Sequence, residues 1–476
     1  MYFLAIGRPH PYSSGGDRRT FEALKYFSEF GFIPILYIPY SDLMSAVMLE
    51  EVYRLEKYAH ILKSLERFNV IVPNELYENI ENIRSNVQYY FDYFQKKGML
   101  AVASIIKRSI QSVQGFKDII SSAKKFLTRL IRDNGIDSDK LGFVYSMHEC
   151  PSFVTVGSFL AKSLKKKLYI QLQLEPFKPF REFVIDDWIS RVTFGEQQTF
   201  REIARLFLFI LQSVLSDARY SYSYAFRNNL HGLLAVSEAP LIISGLDFWA
   251  RERGIRVKIV RPGNAVEEEF CKYINERERC RVLRKKEDVA VYWTRLRSSK
   301  GLFDILSTAR RLAVEGYRLM VIGRFDNIVE KRIFFRICEE KKIKNIEYVG
   351  WLPREKLIEV VSRSKVLIYP SHSDAFPLVV LEALFLGCSV VAYDIPAIRS
   401  VYKGLKPVKI VSEYDYKAMA EEAIKILKRD ISKHEEEHLD DNFMNFLKMH
   451  SSWRNVAKAD IEAIREMMNY PSRTCC

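Results

Sequence analysis

The chain has 476 residues, enough for two or three domains that each bury their own core. Hydrophobic and charged fractions of 48% and 28% are globular values and exclude bulk disorder. The net charge of +14 favours anionic partners, such as nucleotides, phospholipid head groups, lipid phosphates or nucleic acid, and the seven cysteines lack the spacing of a zinc site or a disulfide framework.

The opening residues, MYFLAIGRP, have no basic start and no long apolar stretch. They predict a strand over Tyr2 to Gly7, no signal peptide, and a cytoplasmic protein. The loop HPYSSGGD follows, then a helix over Arg18 to Phe30, with Phe21, Leu24, Phe27 and Phe30 on one face. Strands are expected at Phe32 to Ile38, Leu141 to Ser146 and Lys167 to Leu172, with a helix over Thr155 to Leu164. Fully apolar strands separated by helices imply a parallel sheet covered on both faces.

Two helical additions interrupt this first half, at 45–135 and 177–231. In the first, Ile106, Ile110, Val113, Phe116, Ile120, Leu127 and Ile131 fall near helical spacing among many Lys and Arg residues. Such a stripe packs a core beneath a solvated face, or lies on an anionic membrane surface; both readings stand. The DSD at 137–139 precedes a strand, so it reads as a turn and implies no metal. A second regular run starts near residue 288. Its strands are Val289 to Tyr292, Arg318 to Ile322, Ile346 to Val349, Val366 to Tyr369 and Ser389 to Tyr393. Helices fall at Leu302 to Ala313 and Leu378 to Leu386. The expectation is two doubly wound domains, 1–262 and 263–438, joined within RPGNAVEEEF at 261–270. A helical tail over Asn442 to Met468, within 439–476, is placed to cross back to the first domain. The terminal Cys475 and Cys476 read as an incidental tail, with lipidation as the alternative.

Two stretches carry chemistry. After the first strand of the second run come Arg295 and, five residues on, Lys300 with Gly301. A strand-to-helix turn presents free amides and a positive dipole end, so two cations there suit a diphosphate. The stretch PSHSDAFPLVVLEALFLG occupies the equivalent edge of the same sheet. Asp374 there can accept from sugar hydroxyls, or cap the helix. The amides of Phe376, Leu378 and Val379 can donate to phosphate, and Glu382 can reach a ribose diol. A carboxylate inside so apolar a helix needs partners.

These motifs resemble the nucleotide-sugar-binding domain of glycosyltransferase family 4, the retaining enzymes of the GT-B fold. The family's Gly-Arg-x4-Lys-Gly turn is Thr294-Arg295-x4-Lys300-Gly301 here. Its Pro-Gly-Asn-Gly-Val-Asp hinge is Pro262-Gly263-Asn264-Ala265-Val266-Glu267, followed by Phe270. Its E-x7-E signature is Asp374-x7-Glu382. LMVIG at 319–323, IEYVGWLP at 346–353 and Trp453 also match, so the resemblance spans 233–455. In the first half, Gly15 and Gly16 stand in the family's glycine-rich loop, which approaches the donor phosphate. His148, in SMHECPS, stands where related mannosyltransferases have a His-Glu-Pro segment near the acceptor. GLLAVSEA at 232–239 matches the family's strand ending in Ser-Glu.

The resemblance implies an α/β protein of GT-B type: two Rossmann-like doubly wound domains facing a cleft, with helical insertions in the N-terminal one. It implies retaining transfer from a nucleotide diphosphate sugar, without a metal or other cofactor. Arg295, Lys300, Asp374 and His148 would be catalytic. Gly15, Gly16, Phe376, Leu378, Val379 and Glu382 would join Arg295, Lys300 and Asp374 at the donor. Positive helices on the acceptor side suit a lipid-linked or glycan acceptor at an anionic membrane surface, with a peripheral place on its inner face. Asp374 stands for the family's first Glu, one methylene shorter, which suits a changed sugar or a catalytically weak scaffold. Nucleic-acid binding is not expected, since no known module's exposed basic and aromatic strands occur.

Overall fold

The computed structural model describes residues 1–11, 14–53, 56–86, 138–177 and 217–469, with a helical fragment between 120 and 129. The stripe residues Ile106, Ile110, Val113, Phe116, Leu127 and Ile131, Asp137, residues 178–216 and Cys475–Cys476 lie outside the described residues. Strands β1 to β6 are Tyr2–Ile6, Ile33–Tyr37, Leu141–Ser146, Lys167–Leu172, Leu230–Ala235 and Arg256–Ile259. Strands β7 to β12 are Glu287–Trp293, Leu319–Ile322, Ile346–Gly350, Ser364–Tyr369, Ser389–Tyr393 and Val408–Val411. They form two parallel six-stranded sheets, ordered β2-β1-β3-β4-β5-β6 and β12-β11-β10-β7-β8-β9. The doubly wound α/β expectation is met in both halves.

Central strands explain why the sheets are covered on both sides. Every residue of SKVLIY (β10) and SVVAY (β11) is buried. Alternating polarity would have left one face wet, whereas continuous apolar runs require helices on both. Each sheet has one place where strand order reverses, at β1/β3 and at β7/β10. At such a point neighbouring loops diverge to opposite faces and leave a crevice beyond the carboxyl ends of the strands. The sequence candidates fall on the loops after these four strands.

Two helices differ from expectation. The helix expected over Arg18 to Phe30 runs Gly15–Leu24, followed by a separate 3-10 turn, Phe27–Phe30. Ser14 starts it early: its hydroxyl accepts from the Asp17 amide, satisfying an orphan donor of the first turn. The tail is two helices, Asp441–Met449 and Trp453–Asn469. The inter-domain linker anchors the break, because His450 Nδ1 lies 2.6 Å from Asn264 O and Val266 N donates to His450 O at 3.0 Å.

The last helix packs into the first domain. Ala457, Ile461, Ile464 and Met467 are buried with Phe3, Phe143 and Tyr169. Asp460 lies on the same face and pairs with the equally buried Arg19 at 2.7 Å. Residues Ser138–Lys140 form a 3-10 turn ahead of β3. Of the first helical addition, Tyr40–Tyr53, Tyr58–Glu66 and Asn74–Ser85 are helices.

Candidate active site

The loops after β7 and β10 meet through an ion pair. Lys300 Nζ lies 2.8 Å from Asp374 Oδ2 and donates to Ser373 O at 2.7 Å. Tyr369, the last residue of β10, donates its hydroxyl to the same Asp374 oxygen at 2.6 Å. Asp374 Oδ1 accepts from the Ala375 amide at 3.0 Å. Burial pushes this carboxyl up, but Lys300 and the donated hydrogen bonds outweigh it and hold the acid below its ordinary range. Gly301 makes the approach feasible. Its φ is +76°, and a Cβ there would lie 2.1 Å from Pro370 O. Arg295 is exposed at the lip of the same loop and makes no ion pair among the described residues.

Helix Leu378–Phe385 opens just beyond this pair. Asp374 is not its cap; Pro377 takes that position. Pro377 O accepts from Val380, Leu381 and the Tyr402 hydroxyl, while Phe376, Leu378 and Val379 amides meet no acceptor among the described residues. Free amides at a helix start form a cradle for an anion. The helix ends at Gly387, whose φ of +74° lets Cys388 N reach back to Ala383 O.

Glu382 is 5% exposed. The partner its burial demands is Arg354, whose Nη2 lies 2.8 Å from Glu382 and 2.6 Å from Glu267 of the linker. Glu267 in turn pairs with Arg18 of the first domain at 2.6 Å. Burial pushes the Glu382 carboxyl above its ordinary value despite Arg354. The ion-pair chain thus runs from one domain through the linker to the buried carboxylate of the other.

The first domain closes the site. A Cβ on Gly15 would lie 3.3 Å from Leu378 Cδ1, so the glycine loop abuts the anion cradle across the cleft. A Cβ on Gly16 would lie 2.4 Å from His148 Nε2. No other residue type lets the loop seat against that imidazole without a shift. Ser237, after β5, donates its hydroxyl to Ala375 O and ties the two domains at the Asp374 loop. Lys300, Asp374, the helix-opening amides, Gly15, Gly16 and His148 therefore converge on one cleft. Glu382 sits deeper, and Arg295 at the margin.

His372 pins the loop that carries Asp374. Its ring nitrogens face Glu413 at 2.9 Å and Asp304 at 3.2 Å, its amide donates to Ser299 O, and Tyr414 stacks on it. Burial opposes the charged ring, but the two carboxylates raise its pKa to about 9. A raised folded-state value stabilises the protein fully below the unfolded value near 6.5, and that stability is lost as pH rises through about 9. The gap corresponds to roughly 3 kcal/mol. Melting temperatures from pH 6 to about 10 should therefore fall more steeply for the wild type than for His372→Gln. Parallel curves would remove His372 from the stability balance.

Arg354, Tyr369 and His372 were not singled out from sequence, and Ser237 was noted only within the Ser-Glu strand end of 232–239. Arg354 lies 28 residues from Glu382, and nothing in its local pattern marks it as a partner. The demand for a partner was legible; its identity was not. His148, Glu149 and Cys150 also come together, their ligand atoms all within 4.8 Å of one another.

Residues 275–442 match the family model described as Glycosyl transferases group 1. The capsular polysaccharide biosynthesis glycosyltransferase CapM of Staphylococcus aureus is 25% identical over 205 residues, 41% of this chain and 52% of that protein. The chain thus spans about half the length of this curated relative. Among solved structures, a glycosyltransferase from Rickettsia africae aligns with a TM-score of 0.57 at 13% identity, covering 99% of both chains. HepE of Anabaena, solved with UDP and glucose, aligns at 0.54 and 11% identity, covering 97% of this chain and 99% of that one. The architecture is that of the GT-B glycosyltransferases, two doubly wound α/β domains, and the second of them carries the match to glycosyl transferases group 1.

Proposed function

We propose that the protein is a retaining glycosyltransferase of family 4 that moves a hexose from a nucleotide diphosphate sugar to an acceptor. One observation carries the reading: Lys300, paired with Asp374, stands beside three helix-opening amides that meet no acceptor among the described residues, in a cleft closed by Gly15, Gly16 and His148. As the bond to the anomeric carbon breaks, charge builds on the departing diphosphate. Arg295, Lys300 and the amides of Phe376, Leu378 and Val379 stabilise it there, without a metal or other cofactor. Asp374 orients Lys300 with one oxygen and a sugar hydroxyl with the other. Glu382 takes the ribose diol, and His148 orients the acceptor. The acceptor arrives on the face from which the nucleotide leaves, which retains configuration without a carboxylate nucleophile. Domain closure over the linker assembles the site and excludes water.

The acceptor is proposed to be lipid-linked or a glycan, met at an anionic membrane by a cytoplasmic protein that binds peripherally. The net charge of +14 supports that surface. No helix among the described residues is long and apolar enough to cross a membrane. CapM, by its name a capsular polysaccharide enzyme, supports sugar transfer, and HepE with UDP and glucose supports a nucleotide-sugar donor.

Thermal-shift titration with UDP, GDP and ADP sugars tests the reading, since a ligand bound only by the folded state raises apparent stability. One base series should raise the melting temperature, and Asp374→Glu should change which sugar of that series binds best. If no nucleotide sugar stabilises the protein, the transferase reading fails and the scaffold reading takes its place.

A further inference from the structure

The turn after β3 brings three unlike ligand atoms together. His148 Nδ1 lies 3.3 Å from Cys150 Sγ and 3.1 Å from Glu149 Oε1. An imidazole nitrogen carries either one hydrogen or one lone pair, so it directs one hydrogen bond and not two. A cation at the centre satisfies all three atoms at once. Tetrahedral zinc, with bonds of about 2.3 Å to sulfur and about 2.0 Å to nitrogen and oxygen, separates its ligands by roughly 3.3 to 3.6 Å. The two separations from His148 Nδ1 are within a few tenths of an ångström of that, and all three ligand atoms lie within 4.8 Å of one another.

The surroundings hold these ligands in place. Glu149 Oε2 accepts from the Gln173 amide at 2.9 Å, which aims the other oxygen at His148. Ser146 Oγ donates to His148 O at 2.9 Å, and Gln173 Nε2 to Met147 O at 2.7 Å, so the turn's backbone is pinned. Outer partners of this kind orient ligands and add to affinity. His148 and Glu149 are buried, while Cys150 is half-buried and gives a cation a way in.

We propose that His148, Glu149 and Cys150 form a site for a borderline-soft divalent cation of the zinc type. A thiolate, an imidazole and one carboxylate select against magnesium and calcium, which take oxygen donors. Three protein ligands leave a fourth position for water. Binding releases the thiol proton, and any proton on Nδ1, so affinity rises with pH. The metal on Nδ1 leaves Nε2 protonated and facing Gly16, so occupancy sets the tautomer of His148. The site adjoins the proposed cleft through His148, and the metal itself supplies no step of the proposed transfer.

Cobalt(II) serves as the spectroscopic probe, in the full chain carrying Cys475→Ser and Cys476→Ser so that the paired terminal thiols do not contribute. A single equivalent should bind with a thiolate-to-cobalt charge-transfer band, and zinc should displace it. Cys150→Ser should abolish the band, and Cys338→Ser should leave it intact. Glu149→Gln should weaken cobalt binding at least about tenfold, which keeps the test decisive if Cys150→Ser does not fold. No band on titration, a band that survives Cys150→Ser, or unchanged affinity in Glu149→Gln overturns the site.

Discussion

Replacing Lys300 by alanine is expected to lower sugar transfer by about a hundredfold to a thousandfold, the usual loss when one preorganised electrostatic donor is removed from a developing anion. The same change leaves Asp374 without its cation. Asp374 still receives the Tyr369 hydroxyl and the Ala375 amide, but its charge is no longer matched. A stability loss of about 1–3 kcal/mol should accompany the loss of activity. The two effects separate in the double variant Lys300→Ala with Asp374→Asn. Removing the unmatched charge should recover stability, while transfer stays low. Steady-state kinetics with the donor found by thermal shift, alongside denaturant melts, reads both. Full activity in the stable double variant would mean that Lys300 serves the fold and not the reaction.

The largest expected stability loss lies away from the cleft. Arg19 and Asp460 are each 0% exposed, 2.7 Å apart, and joined to Tyr145 at 3.1 Å and to Gly263 O at 2.9 Å. One residue comes from the helix after β1, one from the last helix, one from β3, and the carbonyl from the linker. Asp460→Ala strands a buried guanidinium, which costs about 3–5 kcal/mol. The paired replacement Arg19→Met with Asp460→Leu should cost much less, because it removes both desolvated charges together. Calorimetric melts of the two variants compare them. A loss below about 1 kcal/mol in Asp460→Ala would show that apolar packing alone seats the last helix.

Much of the architecture was legible because the evidence for it is local. The runs LGFVYS, KLYIQL and SVVAY are strands at the limits expected, since an apolar run bounded by turns needs no distant information. Local reading fell short where a distant group decides an element's end. The tail looked continuous from Asn442 to Met468, yet it breaks at His450, which bonds to a linker nearly two hundred residues earlier. The helix from Gly15 starts earlier than expected because Ser14 caps it, a signal that was present and outweighed by the phenylalanine pattern.

By itself the sequence determined two doubly wound domains and the types of group needed at one edge of the second: two cations, two acids and a helix start. Each follows from neighbours along the chain. Only the tertiary structure decided who meets whom. Asp374 takes Lys300 and Tyr369, Glu382 takes Arg354, Gly16 takes the edge of His148, and His148, Glu149 and Cys150 converge on one point. The physical reason is that desolvating a charge creates a demand that any opposite charge can meet. Which one meets it depends on how the sheets and the crossing helix bring distant segments together, and no spacing along the chain encodes that.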